Sequence, residues 1–285
     1  DGSALVVLAW AVVFGGVTQL LFQLPSLYNA GLLVRPNLDH AQPGVREVGV
    51  LIVPAVLAAS VGQINALVNT IIASNLLAGS ISWLYYADRL LELPIGMVAI
   101  ALSTVMLPHM SRISVSGSKE DFDQLMNWGV LVGLMLSMPA AVGLYFLSPY
   151  LISTLFMGFA GGAMTFDDVL MASYALELFA VALPGFVLVR VLSTGFFSQK
   201  NTRIPFRYAS VAVAINLIGS LISYRWLGHV GLALSTALSA WSHFFLLYFG
   251  LQRHNICAPN LVNFRSSSIL VASALIGLGI YLLVP

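Results

Sequence analysis

Charge is what this chain has least of. Lysine, arginine, aspartate and glutamate make up 8% of its 285 residues and nearly cancel, leaving a formal net charge of +1. That balance excludes a nucleic-acid-binding face, which needs concentrated basic charge. A single cysteine, Cys257, excludes a disulfide framework and any multi-cysteine metal site. It follows the seventh apolar segment and is expected in a loop. The histidines (His40, His109, His229, His243 and His254) fall without metal-ligand spacing. No nucleophile elbow, zincin or phosphate-loop motif occurs. These absences point away from an enzyme.

What fills the chain instead is hydrocarbon. Hydrophobic residues are 59% of it and the mean hydropathy is +0.93, far above the soluble globular range. The fold class expected is an all-α polytopic membrane protein with about eight transmembrane helices. The chain opens Asp1-Gly2-Ser3 with no basic segment before the first apolar run, and so reads as an internal piece of a longer protein, not a signal peptide.

The first span is predicted at Ala4–Leu24, closed by Pro25. Residues 26–47 form a polar linker. Val48 to Ala87 carries no formal charge. As one helix it would extend ~60 Å, twice the ~30 Å hydrocarbon core, so it must fold back at Leu77-Ala78-Gly79-Ser80. This gives spans near Val48–Leu77 and Ser80–Leu107. A polar loop from Ser111 to Asp123 follows, then a span at Gln124–Leu147. Pro149, Gly158, Gly161 and Gly162 make Tyr150–Met157 a short interfacial segment. Thr165-Phe166-Asp167-Asp168 resembles a helix N-cap with acidic first-turn residues and opens a span at Val169–Phe197. The last three are Arg207–Tyr224, Val230–Leu251 and Ser268–Val284. Residues 48–251 are thus expected to form one six-helix lobe, and 252–285 a linker with one more helix.

Orientation follows the positive charges. Arg35, Arg46, Arg112, Lys119, Lys200, Arg203, Arg207, Arg253 and Arg265 all fall in loops of one side, which is therefore cytoplasmic; Arg225 stands alone on the other. Trp83, Tyr85, Tyr86 and Trp128 lie near span ends, as interfacial anchors would.

Against this background Asp88, Arg89 and Glu92 stand out, three charges within five positions between two long uncharged stretches. On a helix from Ser80, Arg89 lies ~12–14 Å along, near mid-membrane. Ionisable groups at that depth face a partner or a wet cavity. Arg89 and Glu92, at i,i+3, can pair on one face, so the cluster could neutralise itself and pin one helix to another. Pro94 and Gly96, which bend a helix, favour a transport site. Glu177 and Arg190 lie ~20 Å apart along the fifth span. Arg190 can snorkel to the interface, whereas the shorter Glu177 is expected to face the same cavity as Arg89. Asn65 and Asn69 share a face of the second span at i,i+4. They can line a cavity or simply hydrogen-bond between helices, as can Asn216, Ser220, Ser235, Thr236 and Ser239.

Residues Trp83 to Gly96 (WLYYADRLLELPIG) and Ala101 to Pro108 (ALSTVMLP) resemble the signature of the MurJ/MviN lipid II flippase family, within the multidrug/oligosaccharidyl-lipid/polysaccharide (MOP) exporter superfamily. Asp123 to Gly129 (DQLMNWG) and Gly195 to Pro205 (GFFSQKNTRIP) are similar to further stretches of it. The resemblance implies two six-helix lobes around a central cavity plus two extra helices. On that map residues 1–25 are the last helix of the N-lobe, 48–251 the C-lobe and 252–285 the linker and the first extra helix.

The function implied is translocation of an undecaprenyl-pyrophosphate-linked disaccharide-pentapeptide across the bacterial inner membrane by alternating access. Its partners would be that anionic lipid, membrane lipids and the N-lobe of the same protein. Arg89 takes the place of a cavity arginine, with Glu92 as its neighbouring acid and Asp88 beside them; Arg190 matches a basic position more weakly. Some members have an acid at a sodium site on the second span, where this chain has Asn65 or Asn69. No cofactor is implied, and coupling to a cation or to the membrane potential stays open. The alternatives are another exporter of the superfamily, for drugs or polysaccharide lipids, or a non-transporting membrane scaffold.

Overall fold

In the structure, a computed structural model, residues 2–31, 63, 65–158, 164–257, 259 and 264–283 are described. All regular structure among them is helical. Most of the linker at 26–47 and residues 48–62 of the second span lie outside that set. The chain divides into two compact units, 1–55 and 56–285.

The first unit contributes α1 (Gly2–Asn29), apolar all round and carrying Pro25 inside it. Pro25 therefore does not end the first helix. Membrane helices tolerate proline where neighbouring helices, Ser or Thr side chains or small local adjustments re-satisfy the freed carbonyl.

The second unit begins, among described residues, with α2 (Asn65–Ser74). The chain then turns at Gly79, whose φ of +103° suits glycine alone. A Cβ there would also lie 2.7 Å from the Trp83 indole. Helix α3 (Ser80–Pro94) runs through a six-residue π-helical stretch, Ile95–Ile100, into α4 (Ala101–Ser116). Pro94 has no N–H to give the Leu90 carbonyl, and the wide turn follows directly.

The polar loop expected at Ser111–Asp123 is shorter than predicted. Gly117, at φ +76°, closes α4, and Ser118 caps α5 (Lys119–Phe146) by accepting the Asp121 N–H. Two residues suffice for the turn, so Lys119, Glu120, Asp121 and Asp123 lie inside a helix. The interfacial segment after α5 is α6 (Ser148–Ile152) followed by a π-helical stretch, Ser153–Gly158.

Helix α7 (Phe166–Ser198) is the axis of the unit. It starts with a full capping box: the Thr165 hydroxyl accepts the Asp168 N–H, and the Asp168 carboxylate accepts the Thr165 N–H at 2.9 Å. Replacing Thr165 with alanine should lower stability by about 1 kcal/mol, read as an earlier thermal transition. Helices α3, α4, α5, α6 and α8 all pack on α7. Its small residues permit this: Ala172, Ala175, Ala180 and Ala182 are wholly buried, and Gly185 lies against the Ala240 backbone. In lipid such close approach, not the hydrophobic effect, holds helices together.

Helix α8 (Arg203–Arg253) is 51 residues long and breaks at Gly228, where φ is +57° and ψ −134°. It is a hairpin of two spans. Asn216 Nδ2 donates to Thr236 Oγ1 at 3.0 Å, and the Ser239 hydroxyl to the Ala212 carbonyl at 2.6 Å, pairing the halves in antiparallel register. Helix α9 (Phe264–Leu283) packs on α5. Among the described residues five helices are long and apolar enough to cross a membrane; α8 counts once yet doubles back, and α2 and Ser267–Leu282 are apolar but shorter.

Cys257 does follow α8, but it is buried (3% exposed) in a cluster with Phe122, Met126 and Leu251. Burial, reinforced by the Asp123 carboxylate, pushes its thiol up to about 12. The thiolate is the nucleophile, so maleimide at pH 7.5 should leave Cys257 unlabelled in the native fold and label it on denaturation, as peptide mass spectrometry would show.

Candidate functional site

One face of α3 carries the charges. Arg89 Nη1 donates to Glu92 Oε2 at 2.6 Å, the i,i+3 pair that helix geometry allows. One turn earlier Tyr85 places its ring 4.6 Å beneath the guanidinium carbon, a cation–π contact. Arg89 is thus gripped between an aromatic face and a carboxylate. The pair is not sealed: the side chains of Arg89 and Glu92 are 50% and 54% exposed. An ion pair this open is weak, and an incoming anion can take the guanidinium from Glu92.

Asp88, one residue earlier, turns toward α2. It lines a cavity of ≈330 Å³ between α2, α3, α7 and α8, with Asn65, Asn69, Thr70, Tyr85, Phe179 and Thr236 among its walls. Asn65 and Asn69 meet there because four residues make about one helical turn. The Ser220 hydroxyl donates to Asn69 Oδ1 at 3.3 Å, tying α2 to α8. Asn216 and Thr236 bond to each other, as do Ser223 and Ser235 at 3.2 Å. These polar groups act as interhelical bonds. No group of three or more metal-ligating side chains gathers among the described residues.

Glu177 and Arg190 are not among the residues lining that cavity. Glu177 is half-buried and accepts from the Ser148 hydroxyl at 3.3 Å, on the side of α7 that faces α6. Arg190 is exposed, farther along α7.

Sequence reading missed three participants. Tyr85 is Arg89's support; the signal was an aromatic four residues before an arginine. Trp83 is no interfacial anchor, being 8% exposed and donating its indole N–H to Asp168 Oδ1 at 2.8 Å. Its ring lies 4.8 Å from that of His229, whose Nε2 donates to the Met171 carbonyl at 2.9 Å. This network fastens the starts of α3 and α7 to the second half of α8. Nothing in local spacing connects residues 83, 168 and 229.

Comparison with known proteins bears on the family and the fold. The model of a family described as lipid II flippase MurJ matches residues 1–284. A probable lipid II flippase MurJ from Vibrio cholerae is 42% identical over 249 residues, covering 87% of this chain and 47% of the relative. The lipid II flippase MurJ of Burkholderia cenocepacia is 34% identical over 277 residues, 96% of this chain and 53% of the relative. The chain thus spans about half the length of the relatives it matches. Among solved structures, a lipid II flippase MurJ in an inward closed conformation superposes with a TM-score of 0.68 at 27% identity, covering 88% of this chain and 55% of that one. A MOP superfamily transporter from Pyrococcus furiosus shares the fold, with a TM-score of 0.58 at 20% identity, over 81% of this chain and 50% of its own.

Proposed function

The chain belongs to the lipid II flippase MurJ family, and from that premise we propose that it forms the C-terminal half of a transporter moving an undecaprenyl-pyrophosphate-linked peptidoglycan precursor across the bacterial inner membrane. Residues 1–25 are read as the last helix of the N-lobe, 48–251 as the C-lobe and 252–285 as a linker and extra helix. The observation that carries the reading is Arg89: a guanidinium on a helix apolar enough to span the membrane, half-exposed, supported by Tyr85 and hydrogen-bonded to the Glu92 carboxylate.

The chemistry is binding and release, with no bond made or broken. A planar guanidinium presents two parallel N–H groups to two oxygens, which suits a diphosphate better than a point charge does. The pyrophosphate displaces Glu92 from Arg89, and Glu92 takes the arginine back when the substrate leaves. Rocking of one lobe against the other moves the head group while the lipid tail stays in the bilayer. Glu177 and Arg190 remain candidates for the same pathway as it moves.

The test uses the full-length protein reconstituted in vesicles with lipid II in one leaflet. Transfer to the other leaflet, measured by accessibility to a membrane-impermeant enzyme, is the expected result. Export of a drug cation with no transfer of lipid II would overturn the reading in favour of another exporter of the superfamily.

A further inference from the structure

The outer ends of three helices are tied together by side chains that are not among those lining the cavity. Trp83, in the first turn of α3, donates its indole N–H to Asp168, in the first turn of α7. The other Asp168 oxygen accepts from the Thr165 N–H and hydroxyl. The indole meets the His229 ring at 4.8 Å, and His229 donates from Nε2 to the Met171 carbonyl on α7 at 2.9 Å. His229 follows Gly228, in the turn between the two spans of α8. One imidazole thus touches the tie of α3 and holds the second half of α8 against α7.

Both helices carry parts of the site deeper in. Arg89 lies six residues past Trp83 on α3. Leu232 and Thr236, three and seven residues past His229, share its face of α8 and line the cavity. A shift of this corner therefore reaches both the guanidinium and the wall near it.

The tie depends on a neutral ring. Nε2 already carries the proton given to Met171, so a second proton would enter at Nδ1, which has no hydrogen-bond partner among the described residues. His229 is 6% exposed, and no described carboxylate comes within ion-pair reach of it. From α7 it is faced by Asp167, exposed, and Asp168, whose oxygens are already bonded. From α8 comes exposed Arg225; α3 has no charge before Asp88, and Asn65–Ser74 of α2 has none. Tyr174 and Tyr224 add phenols. A charged ring would give up hydration with no counter-ion in return. Burial accordingly holds the imidazole below its ordinary value of 6.5, with the Met171 bond opposing. A neutral ring of this kind stabilises the corner fully above about 6.5 and loses that effect as pH falls below it.

We propose that His229 is an acid-sensitive positioning residue for transport: neutral, it seats α3 and the second half of α8 on α7, and its protonation unseats them and slows turnover. The inference rests on the transport reading above. The bias of positive charge puts this turn on the outer face, so the acidity sensed is that of the outer compartment.

The experiment compares full-length wild type in nanodiscs with His229→Gln, by hydrogen–deuterium exchange at pH 7.5 and 5.5 corrected for intrinsic rates. Glutamine can offer the Met171 carbonyl the same donor and takes up no proton. In wild type the protection of residues 169–175 and 230–236 should fall by up to about tenfold at pH 5.5, one unit below the ordinary imidazole value. Helix α5 should keep its protection, and His229→Gln should show no fall. Transfer of lipid II in vesicles should slow severalfold at pH 5.5 for wild type and not for His229→Gln. Equal protection of wild type at both pH values overturns the proposal. That comparison needs no variant, so a folding defect in His229→Gln cannot shelter it. An equal fall in His229→Gln overturns it too, as does lost protection with an unchanged transfer rate. Absence of transfer by wild type at pH 7.5 overturns the transport reading instead, while the exchange comparison still decides whether His229 holds the corner.

Discussion

Full-length protein carrying Arg89→Ala is expected to reach the membrane at wild-type levels and yet fail to support growth of cells depleted of their own flippase. The side chain is half-exposed and, among the described residues, contacts its helix neighbours Tyr85 and Glu92, so removing it should leave no unpaired buried group there and the fold should survive. On the proposed mechanism, what is lost is a charge-assisted, two-pronged contact to the pyrophosphate. Losing one such contact should cut affinity by roughly one to two orders of magnitude. Arg89→Lys should fall between, because an ammonium keeps the charge but not the fork. Growth at the wild-type rate with Arg89→Ala would remove this residue from the mechanism.

Gly231→Ala should be among the most damaging single-methyl additions in the second unit. A Cβ at Gly231 would lie 2.8 Å from the Ser223 carbonyl oxygen and 2.9 Å from its carbonyl carbon. Backbone cannot rotate aside, so the two halves of α8 must part, at a cost of about 1–3 kcal/mol. The second half carries Leu232 and Thr236 on the cavity wall, and separation would distort the cavity too. Gly219 makes the reciprocal contact, but its added Cβ would meet the Ser235 side chain, with Oγ at 2.9 Å. The two differ in rescue. Ser235→Gly should restore the thermal transition of Gly219→Ala, whereas Ser223→Gly should not restore that of Gly231→Ala. A Gly231→Ala protein as stable as wild type would show that the hairpin is looser than this packing implies.

Local features were legible before the fold was seen, and for a physical reason. Thr165 and Asp168 announce a helix start because a capping box is made by residues three apart. Arg89 and Glu92, and likewise Asn65 and Asn69, share a face because helix geometry alone puts them there. Proline was less informative. Pro25 reads as a stop by rules drawn from water, but α1 passes through it, as do α3 to α5 through Pro94, Pro108 and Pro139. What periodicity cannot supply is which helix a face meets. Glu177 turns to Ser148 and not to the cavity that Asp88 lines, and Trp83 finds Asp168 85 residues away. In a chain whose helices are apolar on their outer faces too, hydrophobicity no longer marks the inside, and only packing chooses the neighbour.

The bond between Arg89 and Glu92 also bears on how α3 reaches the bilayer. A nascent helix entering lipid must bring its own counter-ion, since partners on later segments are not yet made. Glu92 is on the same turn and supplies it. Glu92→Gln would therefore send Arg89 into hydrocarbon without its hydrogen-bonded carboxylate, leaving only the adjacent Asp88, and its first symptom should be poorer membrane integration of newly made protein, ahead of any change in cargo handling.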